Sequence, residues 1–582
     1  MRRRVFLTCV ATAVAIAAAC SALVPPKPPA ADGRARELAD RYLNGWLDRH
    51  PDEGTLYGVA GRHHDRLPEN SLDAQKAWEA KEDVWLADAQ GIEPLAIEDS
   101  SLRATYAIVR EALEGSIGTR VCRTELWRVS QAASWHARLG FLVTIQPVGT
   151  PDAEKEALAR WSALPGYIDT EIVNLREGLR LKYSAPKNIV RIVIGQVNSL
   201  IGATESDQPF LSPVARDKTP EFAQAYEKLF KGEMLPAFKR YSDFLEREYL
   251  PVARDEIGVS AHPNGADCYA ASVREYSTLP ISPKDVHALG LAQIDLIMSE
   301  MKGIAERSFQ TSDVPSLLTA LRTDPKYLFK SREELIAYSQ AALVRAKAAA
   351  PNWFGLMPKA DVVIEPYPAF REKNAIGEYN APAEDGSRPG LFYISAYQAE
   401  RQSRSGPEST AFHETVPGHH FQVSLALERK TIHPIGRYLF NSGFAEGWGM
   451  YVERLADEMK LYSSDVDRMG MLSGQAMRAA RLVVDSGIHT LGWTRQQSID
   501  YMLSHTTRDP DSVAGEVDRY IIWPGQATSY MLGMLEIRKA RDDAQARLGS
   551  RFDIKAFHDR VLEDGSVPLS YLSEKIRIWS SP

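Results

Sequence analysis

The chain has no excess of positive charge, no internal repeat, and very little cysteine. Its 69 Lys and Arg are outnumbered by 76 Asp and Glu, for a formal net charge of −7, so nothing in the charge balance argues for a nucleic-acid partner. No run of like charge stands out. The Gly-x-Ser-x-Gly elbow of serine hydrolases is missing, and so is the glycine-rich phosphate loop of nucleotide enzymes, which leaves both chemistries without support. Of the four cysteines, only Cys122 and Cys268 lie in what reads as the folded body. They are too far apart in sequence to form a zinc site by spacing alone. Either an oxidising compartment pairs them or they are two buried thiols.

What is present is enough apolar material for a large core. With 582 residues at 44% hydrophobic content, the chain can bury one big domain or two fused lobes. Its beginning reads as a targeting segment. Arg2, Arg3 and Arg4 precede an apolar run from Val5 to Ala19, which is too short to span a membrane comfortably and fits a secretory signal over residues 1–20. Ile16-Ala17-Ala18-Ala19-Cys20 resembles a bacterial lipobox, with Ala17 where leucine is usual. We expect export to the periplasm or cell envelope and lipidation at Cys20, with ordinary cleavage nearby as the alternative. A proline-rich tether over 21–33 follows.

The mature chain reads mainly α-helical. Ala35, Leu38, Ala39, Tyr42, Leu43, Trp46 and Leu47 recur at helical spacing, and Pro51 stops that helix. Ser282-Pro283-Lys284-Asp285 reads as a capped helix start. Residues 361–398 break the pattern: Val362–Ile364 and Leu391–Ile394 read as strands of a small sheet. Helical patterning then resumes. A soft boundary near residue 270 separates an N-terminal lobe, 34–270, from a C-terminal one, 271–582.

The most telling stretch is His413-Glu414-Thr415-Val416-Pro417-Gly418-His419-His420. A zinc hydrolase helix ordinarily carries His at i and i+4, one turn apart, with a Glu after the first. Here i+4 is Pro417. Proline cannot donate a helical hydrogen bond and glycine tolerates unusual dihedrals, so the helix should break at Pro417-Gly418 and return His419 to the metal. His420, about two turns or roughly 10 Å along a straight helix, is the alternative ligand. Ser405 and Glu408 suggest a capping box opening this helix. Glu414 would take a proton from the attacking water and return it to the leaving amine. A catalytic zinc needs three protein ligands and one open position. Glu446, with Gly447 beside it for close approach, suits the third, and Glu453 suits a residue that orients a ligand histidine.

His413-Glu414-x-x-Pro417-Gly418-His419 followed by Glu446-Gly447-Trp448-x-x-Tyr451-x-Glu453 resembles the DUF885 family of bacterial, often lipoprotein-like zinc metallopeptidases. The resemblance extends to Tyr520-x-x-Trp523-Pro524-Gly525-Gln526-Ala527-x-x-Tyr530, and back to His50-Pro51, Thr55 and Gly58. It implies His419 rather than His420 as ligand. It also implies a helical fold in the style of the gluzincins, with two lobes around a deep cleft; the small sheet read from residues 361–398 would lie beside the zinc helix.

An oxyanion needs a donor besides the metal, and Tyr530, then Tyr520, are the candidates. Arg481, Asp485 and His489 share one helical face. Arg481 could receive a peptide carboxylate, and Asp485 could orient His489 toward substrate. The strand 391–394, which carries Tyr393, could be an edge that pairs with a peptide. The pair His63-His64 reads as a polar loop, His136, His287, His433 and His505 read as structural, and Trp448 and Trp523 read as core. The expected function is hydrolysis of peptide bonds in short peptides, with one Zn2+ per chain. The alternatives are a zinc hydrolase of another amide or ester, and a non-catalytic lipoprotein that binds peptide or metal.

Overall fold

The structure is a computed structural model that describes residues 30–367, 377–383 and 388–581. The expected signal, Cys20 and most of the tether lie outside these residues. Where the tether was expected to run to residue 33, a helix already spans Ala31–Arg49. It buries Ala35, Leu38, Ala39, Tyr42, Leu43 and Leu47, the stripe expected from the spacing. Pro51 ends that helix by opening the next, Pro51–Leu56, at its first position, where a missing N–H costs nothing.

Helices dominate the rest of the fold. Ser282 caps the helix Pro283–Phe309 by accepting from the Asp285 backbone N–H, as its sequence signature implies. That helix packs along Asp465–Leu491, and Ser442–Glu458 packs along Ser529–Leu548. Gly447 serves the second pairing. A side chain there would stand 2.5 Å from the Gly533 backbone, so this glycine brings two helices together and does not face the ligand histidines. One continuous apolar core runs from Ala35 to Ile576. Residue 270, the expected lobe boundary, falls inside the helix Gly265–Ser277. That helix packs on Ser100–Thr119 on one side and on Ser442–Glu458 on the other. Its Cys268 is disulfide-bonded to Cys122, which settles the open question about the two thiols.

The small sheet has three strands among the described residues, β1 (Val362–Pro366), β2 (Glu378–Asn380) and β3 (Gly390–Ile394), in the order β1-β3-β2. β1 runs parallel to β3 and β2 antiparallel to it. The expected edge strand is therefore the central one. Both sides of β3 are hydrogen-bonded, and Tyr393 stacks on Tyr367 with ring centroids 5.2 Å apart. β2 is too short and polar to announce itself in sequence. Among the described residues, no helix is long and apolar enough to cross a membrane.

Candidate metal centre

The ligand helix runs Pro407–Glu414 and starts with proline at its first position, with Gly406 before it and no side chain capping it. The expected capping box does not form. The Ser405 hydroxyl pairs with Ser403, while Glu408 turns inward to Arg345 and to the Ser463 backbone N–H at 2.9 Å. Thr415 leaves the helix, and a new helix, His419–Glu428, begins after Gly418. Gly418 is required here by space, because a Cβ would stand 1.8 Å from the His413 carbonyl oxygen. The indole of Trp448 pins the break by donating to the Pro417 carbonyl at 3.0 Å.

This break brings three of the expected ligands together. One donor atom from each of His413, His419 and Glu446 lies within 4.8 Å of the others. Glu446 Oε2 is 3.7 Å from His413 Nε2 and 3.6 Å from His419 Nε2. These separations are too long for hydrogen bonds. They are close to what a tetrahedral ion with bonds of about 2.0–2.1 Å requires, donors roughly 3.4 Å apart. His413 Nδ1 is 2.8 Å from Glu453 Oε1, so the carboxylate fixes Nδ1 as the protonated nitrogen and turns the Nε2 lone pair toward the cluster. Glu453 is buried and is itself held by Gln475 Nε2 at 3.2 Å and by Arg478 at 3.6 Å. Burial alone would lower the His413 pKa, but Glu446 and Glu453 outweigh it and lift it to about 10. For Glu446, burial opposes ionisation, yet His413 and His419 hold it well below the usual carboxylate range. Two imidazole nitrogens and a carboxylate oxygen converging at these separations make a donor set that zinc accepts. The residues present thus fit a His2Glu metal site.

Gly449 is a part of the centre that the sequence reading missed. A Cβ there would stand 2.5 Å from the His413 ring, so the imidazole lies flat against bare backbone. Gly449 sits between Glu446 and Glu453 on one helical face, a spacing that could have marked it.

His420 does not join the cluster. Its Nε2 donates to the Ala360 carbonyl at 3.0 Å, and its Nδ1 accepts from Tyr379 at 3.1 Å and Ser424 at 3.2 Å. It anchors the sheet to the second ligand helix. Glu414 follows His413 directly and is half-buried, and its charge acts on both His413 and Tyr379.

The remaining candidates divide. Tyr530 is half-buried, and its hydroxyl feels the Glu446 charge. Burial and that carboxylate raise its pKa, so it stays a donor. Tyr520 is fully buried. It accepts from Arg481 Nε at 2.9 Å and donates its only proton to Glu516 at 2.6 Å, which removes it as an oxyanion donor. His489 also drops out. Its Nδ1 accepts from the Val259 N–H at 2.9 Å and its Nε2 donates to the Tyr520 carbonyl at 3.1 Å. Asp485 stands 3.9 Å from His489 and does not orient it. Its Oδ2 instead accepts from Tyr269 at 2.8 Å and from the Gly525 N–H at 2.9 Å. Arg481 alone of that helical face reaches the Tyr530 side of the centre.

Elsewhere, His64 accepts or donates at Thr55, and His136, His287 and His433 pair with Gln196, Ser486 and Asp40, in keeping with structural roles. Trp448 is core, but Trp523 is 39% exposed. It lines a cavity of about 780 Å3 with His50, Arg128, Glu275 and Tyr276, away from the ligand cluster.

No curated protein matches this chain. Two solved structures share its fold. One is described as a "putative lipoprotein from Colwellia psychrerythraea", with 24% identity, a TM-score of 0.85, and 94% of this chain and 99% of that one covered. The other, a "putative lipoprotein of unknown function from Shewanella oneidensis", has 17% identity and a TM-score of 0.76, covering 93% of this chain and 99% of its own. The family model described as "Bacterial protein of unknown function (DUF885)" matches residues 51–576, and the chain belongs to that family.

Proposed function

We propose that the protein is a zinc-dependent hydrolase that cleaves peptide bonds of short peptides in the cell envelope. The reading is carried by the convergence of His413, His419 and Glu446, with Glu453 on the far nitrogen of His413 and Glu414 adjoining. Zinc, when bound, supplies a Lewis acid for the scissile carbonyl and acidifies water. His413, His419 and Glu446 would hold it, one donor atom from each. Glu453 keeps His413 in the ligating tautomer and orientation. Glu414 takes the proton of the attacking water and delivers it to the leaving amine. The Tyr530 hydroxyl, kept protonated, donates to the developing oxyanion. The two proteins of like fold described as lipoproteins, together with Arg2–Arg4, the apolar run and Cys20, support export and attachment through a lipidated Cys20.

The test is metal content and hydrolysis of a peptide library, followed by mass spectrometry, for wild type and Glu414→Gln. We expect Glu414→Gln to keep its zinc and lose about 10²- to 10⁴-fold in rate. Full activity in that variant would remove Glu414 as the base. A zinc-loaded wild type that cleaves no peptide would favour the binding-protein reading.

A further inference from the structure

The helix Asp465–Leu491 carries a guanidinium whose hydrogen bonding the protein leaves incomplete. Arg481 is 5% exposed. Its Nε donates to the Tyr520 hydroxyl at 2.9 Å and its Nη2 to Glu516 at 2.8 Å. Its Nη1 is buried and has no hydrogen-bond partner among the described residues. A buried N–H left unpaired costs about 1–3 kcal/mol, more on a charged group, so a ligand that pairs with it recovers that cost.

The surroundings point to an anion as the missing partner. The guanidinium carbon lies 4.5 Å from the centre of the Tyr530 ring, whose hydroxyl is in turn within the field of Glu446. The same unpaired group therefore adjoins the side chain expected to serve the oxyanion. Arg519 shares Glu516 with Arg481, at 3.0 Å, and spends another N–H on Gln526. Arg508 lies within electrostatic reach of Arg478, Arg481 and Glu516. Four guanidinium groups, those of Arg478, Arg481, Arg508 and Arg519, thus stand against the carboxylates of Glu453 and Glu516. Among these four, Arg478 Nε and Arg481 Nη1 are buried donors with no hydrogen-bond partner among the described residues, and Arg481 is the one whose guanidinium lies on the Tyr530 ring.

We propose that Arg481 Nη1 receives a carboxylate of the substrate, so that the preferred substrates are peptides bearing a free carboxylate near the bond that is cut. The inference rests on the hydrolase reading above. A peptide C-terminus and an acidic side chain both supply this chemistry. Tyr520 and Glu516 hold the guanidinium in place, so little is lost in ordering it when the carboxylate arrives.

The experiment uses the zinc-loaded full chain and two matched pairs of tetrapeptides. One pair differs only in a free or amidated C-terminus, the other only in Glu or Gln at the penultimate position with both C-termini amidated. We expect the carboxylate-bearing member of one pair to have a kcat/KM about 10- to 100-fold higher, the worth of a charge-assisted hydrogen bond. Arg481→Gln should erase that preference, with melting temperature and zinc content recorded. Preference in the first pair assigns the C-terminus, and preference in the second assigns a side chain. Equal rates within both pairs of wild type would overturn the proposal even if the Arg481 variant does not fold, and so would a preference that survives in Arg481→Gln. Calorimetry of the same peptides with zinc-loaded Glu414→Gln separates the two readings. Tighter binding of the acid without any cleavage by wild type sinks the hydrolase and leaves the carboxylate site standing. Cleavage of both members alike does the reverse.

Discussion

His413 and His489 are both buried histidines on helices with an acidic residue nearby, yet only one can bind a ligand. His413 gives Nδ1 to Glu453 at 2.8 Å, its Nε2 lies 3.7 Å from Glu446, too long for a hydrogen bond, and its ring centre stands 4.8 Å from that of His419. His489 spends both nitrogens on the protein backbone, at Val259 and Tyr520. The electrostatics follow the partners. Glu446 and Glu453 lift the His413 pKa to about 10 against the effect of burial, whereas burial lowers that of His489 to about 3. A buried imidazole is available to a metal when one of its nitrogens lacks a protein partner, and sequence spacing alone does not reveal this.

The sharpest way to break this comparison is to remove one histidine from each region. His419→Ala should lose bound zinc and all metal-dependent hydrolysis, since two protein ligands rarely hold a catalytic ion. His489→Ala should keep its zinc and instead lose stability, by about 1–3 kcal/mol for each orphaned partner. Metal analysis and denaturant titration of both variants decide the matter. Zinc retained in His419→Ala would mean that His420 or another group is the ligand. A smaller effect is expected at Glu453. Glu453→Gln still accepts a hydrogen bond from His413 but lacks the charge, and should weaken zinc affinity by about 10- to 100-fold, read by competition with a chromogenic chelator. Unchanged affinity would reduce Glu453 to a packing residue.

Local rules carried the sequence reading a long way. Proline and glycine forced the helix to break, and the break placed His419 near His413. Proline and serine signals set the starts of the helices at Pro51 and Pro283. Legibility ended where partners come from far along the chain. Whether His419 or His420 faces inward depends on Ala360 and Tyr379, about 40 to 60 residues upstream. The spacing of Arg481, Asp485 and His489 gave a shared face, and all three are buried. Their neighbours then separated them: Glu516 took Arg481, Tyr269 and Gly525 took Asp485, and Val259 took His489. β2 and the centrality of β3 likewise depend on a return of the chain that no alternation pattern signalled.

The subtlest change is one of slope rather than of binding or activity, and it concerns only the buried region around His489. Burial raises the Asp485 pKa from its usual value to about 7, against the opposing hydrogen bonds from Tyr269 and Gly525. Its folded pKa therefore lies above its unfolded one. Between about pH 4 and 7 the folded state holds a proton that the unfolded state has released, so this group's contribution is full below pH 4 and is lost as pH rises toward 7. One such proton changes stability by at most about 1.4 kcal/mol per pH unit. Asp485→Asn keeps an oxygen to accept from Tyr269 and Gly525 but cannot titrate, so its stability should fall less steeply across that window, with zinc content unchanged at any one pH. Glu171 and Glu275 are also raised to about 7 by burial, so the slope should flatten without vanishing. An identical slope in Asp485→Asn would mean that Asp485 is ionised in the folded protein, and this region would then hold a buried charge much as the metal centre does.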